Sequence, residues 1–505
     1  MTTTGRRPFS KVLVANRGEI ACRIMRSCRI MGLPTVAVHS DVDKTAMHVS
    51  MADEAISLGG KSPGESYLQI DKIIAAAQES HADAIHPGYG FLSENPNFAD
   101  AVAKAGAAFI GPSGKAIRKL GDKTSARALA IACEVPTIPG STGTVDDVRI
   151  AQEAAHQVGY PVLLKAAAGG GGKGMRIVQR PEEMNSAFRA AHSEAVTAFG
   201  DGRLYVEKYL DHPRHVEIQV LADSYGNVVY LGERECSIQR RHQKVIEESP
   251  SPVVSPELRT TMGEAAVRIV RAAEYENAAT VEFIVDSSRT FRFLEVNTRL
   301  QVEHAVTEMV TGLDLVREQI LISGGQRLTL TQETLYSNGH AVECRVCAED
   351  PAQNFIPSTG RLDSFRLPSG PFIRVDSGFQ VGDEISVYYD SLLAKIIAWA
   401  PTREQAVARL RQALQEFRCV GIRTNVAFCL WVLDHPSFLS GDFDTRFVTD
   451  HSTEYGRPVV PKLLADATAL TAALMIATVQ SQPKRVRQQS NNERTWLNLR
   501  TDNLR

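Results

Sequence analysis

The chain has 505 residues, is 43% hydrophobic, and sets 56 Lys plus Arg against 58 Asp plus Glu for a net charge of -2. Its length predicts about three domains with ample apolar material for buried cores, and its near-neutral balance excludes a general attraction to nucleic acid or anionic membrane, so any basic site must be local. Eight cysteines scattered through apparent strands and helices exclude a disulfide framework and fit a reducing compartment; the lone CxxC of Cys344 and Cys347 has no second pair for a zinc site and reads as a strand.

The N-terminal MTTTGRRPFSKVLVAN passes from a polar lead into a strand without the apolar stretch of a secretory signal. The longest apolar stretch, around Leu470 to Val479, is far shorter than the roughly 20 residues that span a bilayer, so a cytoplasmic protein with no membrane segment is expected. From Lys11 to about Lys115 strands and helices alternate: KVLVAN, a helix near Glu19 to Met31, TVAVHS, a helix near Tyr67 to Glu79, DAIHPG, a helix near Asn97 to Ala105, and AFIG. This predicts a parallel α/β sheet, with Ile20, Ile24, Cys28 and Met31 giving the first helix a face to pack on it. The region reads as a Rossmann-like half. Its first turn, NRGEIA, has no GxGxxG, so dinucleotide binding is unsupported despite Asp41 near the end of the second strand.

A helical stretch from Lys115 to Cys133 leads through VPTIPGSTG, whose prolines and glycines read as a hinge into a second unit. Residues from about 140 to 209 have the size of a small movable lid and contain the run YPVLLKAAAGGGGKGMRIV. Glycine visits positive φ freely, so consecutive amides can turn inward as an anion-binding nest, with Lys165 and Lys173 supplying charge. A P-loop is excluded, because Lys173 is followed by Gly174 and a β-rich MRIVQ instead of Ser or Thr and a helix. The expectation is a phosphate loop capping a hairpin; the alternative is a flexible surface loop, against which the flanking strands argue.

Beyond the lid, HVEIQVLAD, VVYLGERE, ATVEFIVD and FRFLEVN read as an antiparallel sheet. The basic stretch Arg240 to Lys244 runs into Glu247 and Glu248 and has no interleaved aromatic residues, which favours a phosphate or bicarbonate site over RNA. A tight hairpin centred between Ser288 and Arg289 would set Glu282 directly opposite Glu295, a like-charge pair that destabilises a sheet unless a cation intervenes. Asn297 shares the face of Glu295, and these oxygens suit magnesium; neutralisation of an ordinary carboxylate pair by Arg292 or Arg299 is the alternative. Arg299, Gln301 and Glu303 alternate through LEVNTRLQVEH and share one side if the segment stays extended. Past Gly339, AVECRVCAE, FIRVDSG and LLAKIIAWA precede an amphipathic helix from Arg403 to Phe417, a third domain. After Asp450, a Leu- and Ala-rich helix from about Pro461 to Val479 gives way to a polar tail whose KRVR reads as solvated linker.

ANRGEIA from Ala15, AIHPGYGFLSEN from Ala84, FIGP from Phe109, GDK from Gly121, PRHVEIQVL from Pro213, ERECSIQRRHQK from Glu233, LEVNTRLQVEH from Leu294 and HAVECR from His340 together resemble the ATP-grasp superfamily and, within it, the biotin carboxylase family. Ala168 and Lys173 depart from the glycine and arginine of some relatives. The resemblance implies an α/β fold: a Rossmann-like N-terminal domain (8–118), an ATP-grasp central domain (119–325) with a mobile lid (140–209), an α+β C-terminal domain (339–450), and a helical and polar tail or linker (451–505).

By the same resemblance, Lys123 and Lys165 would hold ATP phosphates with Gly170, Gly171, Gly172 and Met175 of the loop. Glu207, Lys208 and Leu210 would border the adenine, and His215, Gln239 and His242 would line the nucleotide cleft. Glu282, Glu295 and Asn297 would bind the magnesium or manganese, two ions being expected, that bridges ATP oxygens. Lys244, Arg299, Gln301 and the Val302 backbone would position bicarbonate, and Glu303 would remove its proton. Attack on the γ-phosphate would give ADP and carboxyphosphate, which breaks to CO2 and phosphate; the phosphate takes the biotin N1 proton, and Arg345, with Tyr89 also at the biotin site, would stabilise the resulting enolate. No Met-Lys-Met for attaching biotin occurs in the sequence, so biotin is expected on a separate carrier, or the chain is a fragment of a longer acyl-CoA carboxylase α subunit. A carboxyltransferase subunit and a homodimer are the further partners implied. A pyruvate carboxylase type, or another ATP-grasp ligase that makes an acyl phosphate, is the alternative.

Overall fold

Short apolar runs build the N-terminal sheet. In the computed structural model, β1 (Val12–Val14), β2 (Thr35–His39), β3 (Glu54–Ser57), β4 (Ala84–His86) and β5 (Ala108–Phe109) are parallel in the order β3-β2-β1-β4-β5. Helices α1 (Gly18–Ile30), α2 (Ile70–Glu79) and α3 (Pro96–Lys104) connect strands of this sheet. Ile20, Ile24 and Cys28 are buried, as the spacing on α1 requires. The exposed edge strand β3 was not legible, because Glu-Ala-Ile-Ser offers neither an apolar run nor a clean alternation.

The structure describes residues 8–455 except 142, 168–173 and 242. Gly170, Gly171, Gly172, His242, the departures Ala168 and Lys173, and the helix expected from about Pro461 therefore lie outside the described residues. The chain divides into a unit of Met1–Ser452, which carries everything discussed below, and a unit of Thr453–Arg505.

The helical stretch expected from Lys115 to Cys133 is two helices, α4 (Gly114–Gly121) and α5 (Lys123–Ala132). Asp122 breaks it: its backbone is extended, and its side chain caps α5 by accepting from the Ser125 amide at 2.8 Å. Lys123 thereby becomes the first residue of α5, where a positive charge opposes the helix dipole. The lid holds β6 (Val162–Ala166), β7 (Arg176–Val178) and β8 (Leu204–Lys208) in the order β7-β6-β8, flanked by α6 (Val148–Val158) and α7 (Met184–Phe199). Strands β6 and β7 are antiparallel with Leu164 opposite Arg176, the hairpin that the glycine run was expected to cap.

An eight-stranded antiparallel sheet organises the rest. Its strands are β9 (Arg214–Ala222), β10 (Val228–Arg240), β11 (Gln243–Ser249), β12 (Asn277–Val285), β13 (Phe291–Asn297), β14 (His340–Cys347), β15 (Ile373–Ser377) and β16 (Leu392–Ala400), in the order β13-β12-β9-β10-β11-β14-β16-β15. The alternation in β9 explains its two faces. Val216, Ile218 and Val220 pack with Met262, Ala266 and Ile269 of α8 (Pro256–Ala272). His215, Glu217 and Gln219 face the other way and are buried as well. A polar face buried this fully needs its groups paired, and it is covered by the segment after β13 and by α9 (His304–Thr311), whose Thr307 hydroxyl accepts from Arg234. Helix α10 (Arg403–Glu416) packs on β16.

The β12–β13 hairpin sets Glu282 opposite Glu295, as expected, by a different route. Phe283 faces Phe293 and Val285 faces Phe291, so the turn centres on Ser288; Leu294 is an extra residue, and only beyond it does the pairing become Glu282 with Glu295 and Thr280 with Asn297. The physical reason lies in the two faces. Phe291 and Phe293 belong to the apolar core with Phe283, and strict alternation would carry Glu295 and Asn297 into that core after them. The bulge at Leu294 returns the acids to the polar face.

All eight cysteines are free, with Cys344 and Cys347 buried in β14. Among the described residues no helix is long and apolar enough to cross a membrane.

Candidate active site

The polar face of the sheet carries one row of alternating charge. Arg234 of β10, fully buried, directs its guanidinium to Glu217 Oε1 (2.5 Å), Gln219 Oε1 (2.7 Å), Thr307 Oγ1 (3.0 Å), Thr280 Oγ1 (3.1 Å) and Gln301 Oε1 (2.9 Å). Lys244 of β11 lies 2.6 Å from Glu217, 3.2 Å from Glu282 and 2.5 Å from Glu303. Arg345 of β14 lies 2.5 Å from Glu247 and 2.9 Å from the second oxygen of Glu303. Glu303, 2% exposed, thus sits between an ammonium and a guanidinium, at the turn that starts α9.

These contacts decide the protonation states. Burial alone would raise Glu303, but Lys244, Arg345 and Arg234 outweigh it and hold the carboxyl well below its usual range. Burial likewise opposes the charge on Lys244, and Glu217, Glu282 and Glu303 overcome it, so the ammonium is raised well above its usual value. Glu282 is held well below its usual range in spite of burial, by Lys244 and His215. Glu247 ends differently: burial dominates and lifts it to about 7 even beside Arg345.

The proposed metal ligands share one patch. Asn297 Nδ2 donates to Glu282 Oε1 at 2.8 Å, Gln301 Nε2 to the same oxygen at 2.9 Å, and His215 Nε2 lies 2.9 Å from Glu282 Oε2. Lys123 reaches Glu295 Oε2 at 3.1 Å. Two cross-strand carboxylates and an amide oxygen are a hard donor set that fits a magnesium-sized cation. Lys123, His215 and Lys244 here supply the positive charge that the pair requires.

The other expected residues distribute as follows. Lys165 of β6 pairs with Glu207 of β8, and Arg127 lies 4.0 Å from Glu207. Lys208 donates to the Gly159 and Tyr160 carbonyls at 2.9 and 3.1 Å, so its side chain faces the lid, and only its backbone is left for a base. Gln239 Nε2 lies 2.7 Å from His215 Nδ1. Met175 and Leu210 are half-buried. Arg299 leaves the row and donates to Glu94 Oε2 at 2.8 Å, while the Thr298 amide donates to Glu94 Oε1 at 3.1 Å. The Val302 carbonyl accepts from Lys395 at 2.7 Å. Tyr89 stands with its ring centroid 5.9 Å from that ammonium, and its buried hydroxyl has no hydrogen-bond partner among the described residues. Beyond Lys244 and Arg345 lies a small pocket whose lining includes Arg240, Cys347, Phe355 and Asn425.

Sequence reasoning missed Glu217, Arg234, Glu94 and Glu247. A signal existed for Glu217, since the alternation of PRHVEIQVL puts it on the face of His215. Arg234 is its direct cross-strand partner, which only the register reveals.

Three family models match the chain: "Biotin carboxylase, N-terminal domain" at residues 8–117, "Carbamoyl-phosphate synthase L chain, ATP binding domain" at 122–331, and "Biotin carboxylase C-terminal domain" at 343–450. A biotin carboxylase of Nostoc sp. is 51% identical over 442 residues, 88% of this chain and 99% of the relative. The propionyl-CoA carboxylase α chain of Ruegeria pomeroyi is 47% identical over 499 residues, 95% of this chain and 73% of the relative. Among solved structures, the biotin carboxylase domain dimer of Hydrogenobacter thermophilus 2-oxoglutarate carboxylase, in complex with MgADP, ADP and bicarbonate, superposes with a TM-score of 0.87 at 47% identity, covering 89% of this chain and 99% of that one. The chain belongs to the biotin carboxylase family, as an ATP-dependent carboxylase of the kind that acyl-CoA carboxylase α chains carry.

Proposed function

We propose that ATP lies between the lid and the polar face of the eight-stranded sheet, with bicarbonate against Glu303, Lys244, Arg299, Gln301 and Val302, and biotin approaching past Arg345 and Tyr89. The observation that carries this reading is the placement of Glu303 between Lys244 and Arg345, at 2.5 and 2.9 Å. An acid held ionised there is always available to accept a proton. A bicarbonate anion drawn to the same cations relaxes their hold on Glu303 and so raises its proton affinity at the moment it must act as base.

Bicarbonate then attacks the γ-phosphorus: a new P–O bond forms, the bond to ADP breaks, and Glu303 takes the hydroxyl proton. Lys123 and Lys165 neutralise phosphate charge, and positioning of the reactants supplies most of the acceleration. Magnesium, or manganese in its place, would be held by Glu282, Glu295 and Asn297 and would screen the phosphates. Carboxyphosphate splits to CO2 and phosphate, phosphate removes the biotin N1 proton, and the Arg345 guanidinium stabilises the enolate that takes up CO2. The lid, 140–209, closes beforehand to exclude water.

The biotin is carried by a separate domain or protein, and a carboxyltransferase passes the carboxyl group on. The dimeric state of the Hydrogenobacter relative supports a homodimer here, and the unpaired cysteines support a reducing, cytoplasmic setting. Phosphate release measured with bicarbonate, with and without free biotin, tests the reading. Bicarbonate-dependent release that biotin accelerates is expected; release indifferent to bicarbonate overturns it.

A further inference from the structure

The turn Asn16-Arg17-Gly18-Glu19 stands where a dinucleotide-binding fold would grip phosphate, yet its side chains are directed at protein. Asn16 Nδ2 donates to the carbonyls of Pro87 at 2.6 Å and Tyr89 at 2.8 Å. Arg17 donates to both oxygens of Asp43 at 2.6 and 2.7 Å and lies 4.1 Å from the Tyr389 ring centroid. Glu19 points toward the large sheet, where its carboxylate lies 3.5 Å from Lys395 Nζ of β16. Two backbones must meet for this to happen. A Cβ on Gly378, just past β15, would fall 2.3 Å from the Gly18 carbonyl carbon and 2.4 Å from the Glu19 nitrogen, so glycine is what lets the strand end press on the turn.

Lys395 is fully buried. Besides Glu19 its ammonium has Asp376 at 3.8 Å, and it donates a 2.7 Å hydrogen bond to the carbonyl of Val302, the residue before Glu303. Packing alone does not call for a lysine here, since a hydrophobic side chain of similar volume avoids the desolvation cost of a buried charge. The residues before α9 also need outside anchors, because residues 298–303 belong to no strand or helix. Thr298 and Arg299 are tied to Glu94, Gln301 to Arg234 and Glu282, and Val302 to Lys395.

We propose that Lys395, with Glu19 and Asp376 balancing its charge, is a positioning residue of the carboxylation site: its hydrogen bond to Val302 fixes the peptide plane from which Glu303 projects between Lys244 and Arg345. The NRGE turn is then the clasp that joins the N-terminal sheet to the bicarbonate pocket. The inference rests on Glu303 being the base.

Lys395→Met in the full chain tests it, together with Glu19→Gln/Lys395→Met, which removes both members of the buried pair and carries the test if the single variant does not fold. The expected result is a fall of about 10- to 100-fold in kcat/KM for bicarbonate, from loss of one charge-assisted hydrogen bond and the resulting misplacement, with the KM for ATP within twofold of the parent. Parental bicarbonate kinetics, an equal loss for ATP and bicarbonate, or a double variant that does not fold would each show the pair to be structural and overturn the proposal. Glu303→Gln separates the two readings. If it retains bicarbonate-dependent phosphate release, the base assignment fails; if it is inactive while the double variant is unimpaired, only the positioning role fails.

Discussion

Arg234 and Glu217 are direct cross-strand partners on adjacent strands, both without exposed surface, and Nε meets Oε1 at 2.5 Å. Glu217 passes its other oxygen to Lys244 at 2.6 Å, so the pair orients the ammonium that faces Glu303. Breaking a buried pair from one side leaves an uncompensated charge, at a cost of roughly 3 to 5 kcal/mol. Arg234→Met is therefore expected to lose about that much stability, as read by denaturant unfolding, and Glu217→Gln to lose bicarbonate turnover in addition.

Glu303→Gln removes the proposed proton acceptor and keeps the shape. Bicarbonate-dependent phosphate release should fall by about 100- to 10,000-fold, the range for a general base. A loss below tenfold in a steady-state phosphate assay would sink the assignment.

A chelator should abolish the same reaction and added magnesium restore it. Glu295→Gln, which also takes from Lys123 its 3.1 Å partner, is expected to raise the magnesium concentration for half-maximal rate by at least roughly tenfold, the size of effect that even outer partners of metal ligands show.

Glu248 carries a pH signature. Burial would raise it, but His340 at 2.7 Å and Arg403 at 2.6 and 3.0 Å hold it down at about 2. A carboxyl depressed in the fold contributes stability that is present above its ordinary 4.5 and is lost as pH falls through about 2. Glu248→Gln should therefore be less stable than the parent at pH 7, by on the order of 3 kcal/mol, with the deficit shrinking below about pH 4.5. Unfolding free energies of the two proteins across that window provide the check.

Gly378→Ala tests the close approach on the Gly18–Glu19 turn. A methyl group 2.3 Å from backbone has no flexible neighbour to displace, and overpacking of this kind costs about 1 to 3 kcal/mol. A melting temperature equal to the parent's would contradict it.

The sequence made local chemistry legible and non-local pairing much less so. The helix stripe of Ile20, Ile24 and Cys28 follows from periodicity over a few residues, whereas the opposition of Glu282 and Glu295, expected from a symmetric hairpin, is reached through a bulge that strict alternation does not reveal. The break at Asp122 was legible in principle, since Asp three residues before Ser125 is a capping signal, but the surrounding helical pattern masked it. What β10 pairs with, and hence that Arg234 meets Glu217, depends on register between distant strands. So does the meeting of Glu19 with Lys395, whose positions are separated by most of the chain. Motif resemblance located Lys244, Glu303 and Arg345 without showing that one carboxylate bridges two cations.

The extra residue at Leu294 has an evolutionary corollary. Trimming it would leave Glu295 opposite Glu282 in a regular ladder, whereas pairing Leu294 in that ladder would invert the outer half of β13, exchanging Glu295 and Asn297 for Leu294 and Val296 on the polar face while leaving the aromatic pairs intact. Length variation among descendants of this hairpin should accordingly be confined to its tip beyond Val285 and Phe291 and to the bulge itself, because any further residue between Phe293 and Glu295 must also be looped out if the carboxylate is to stay off the apolar core.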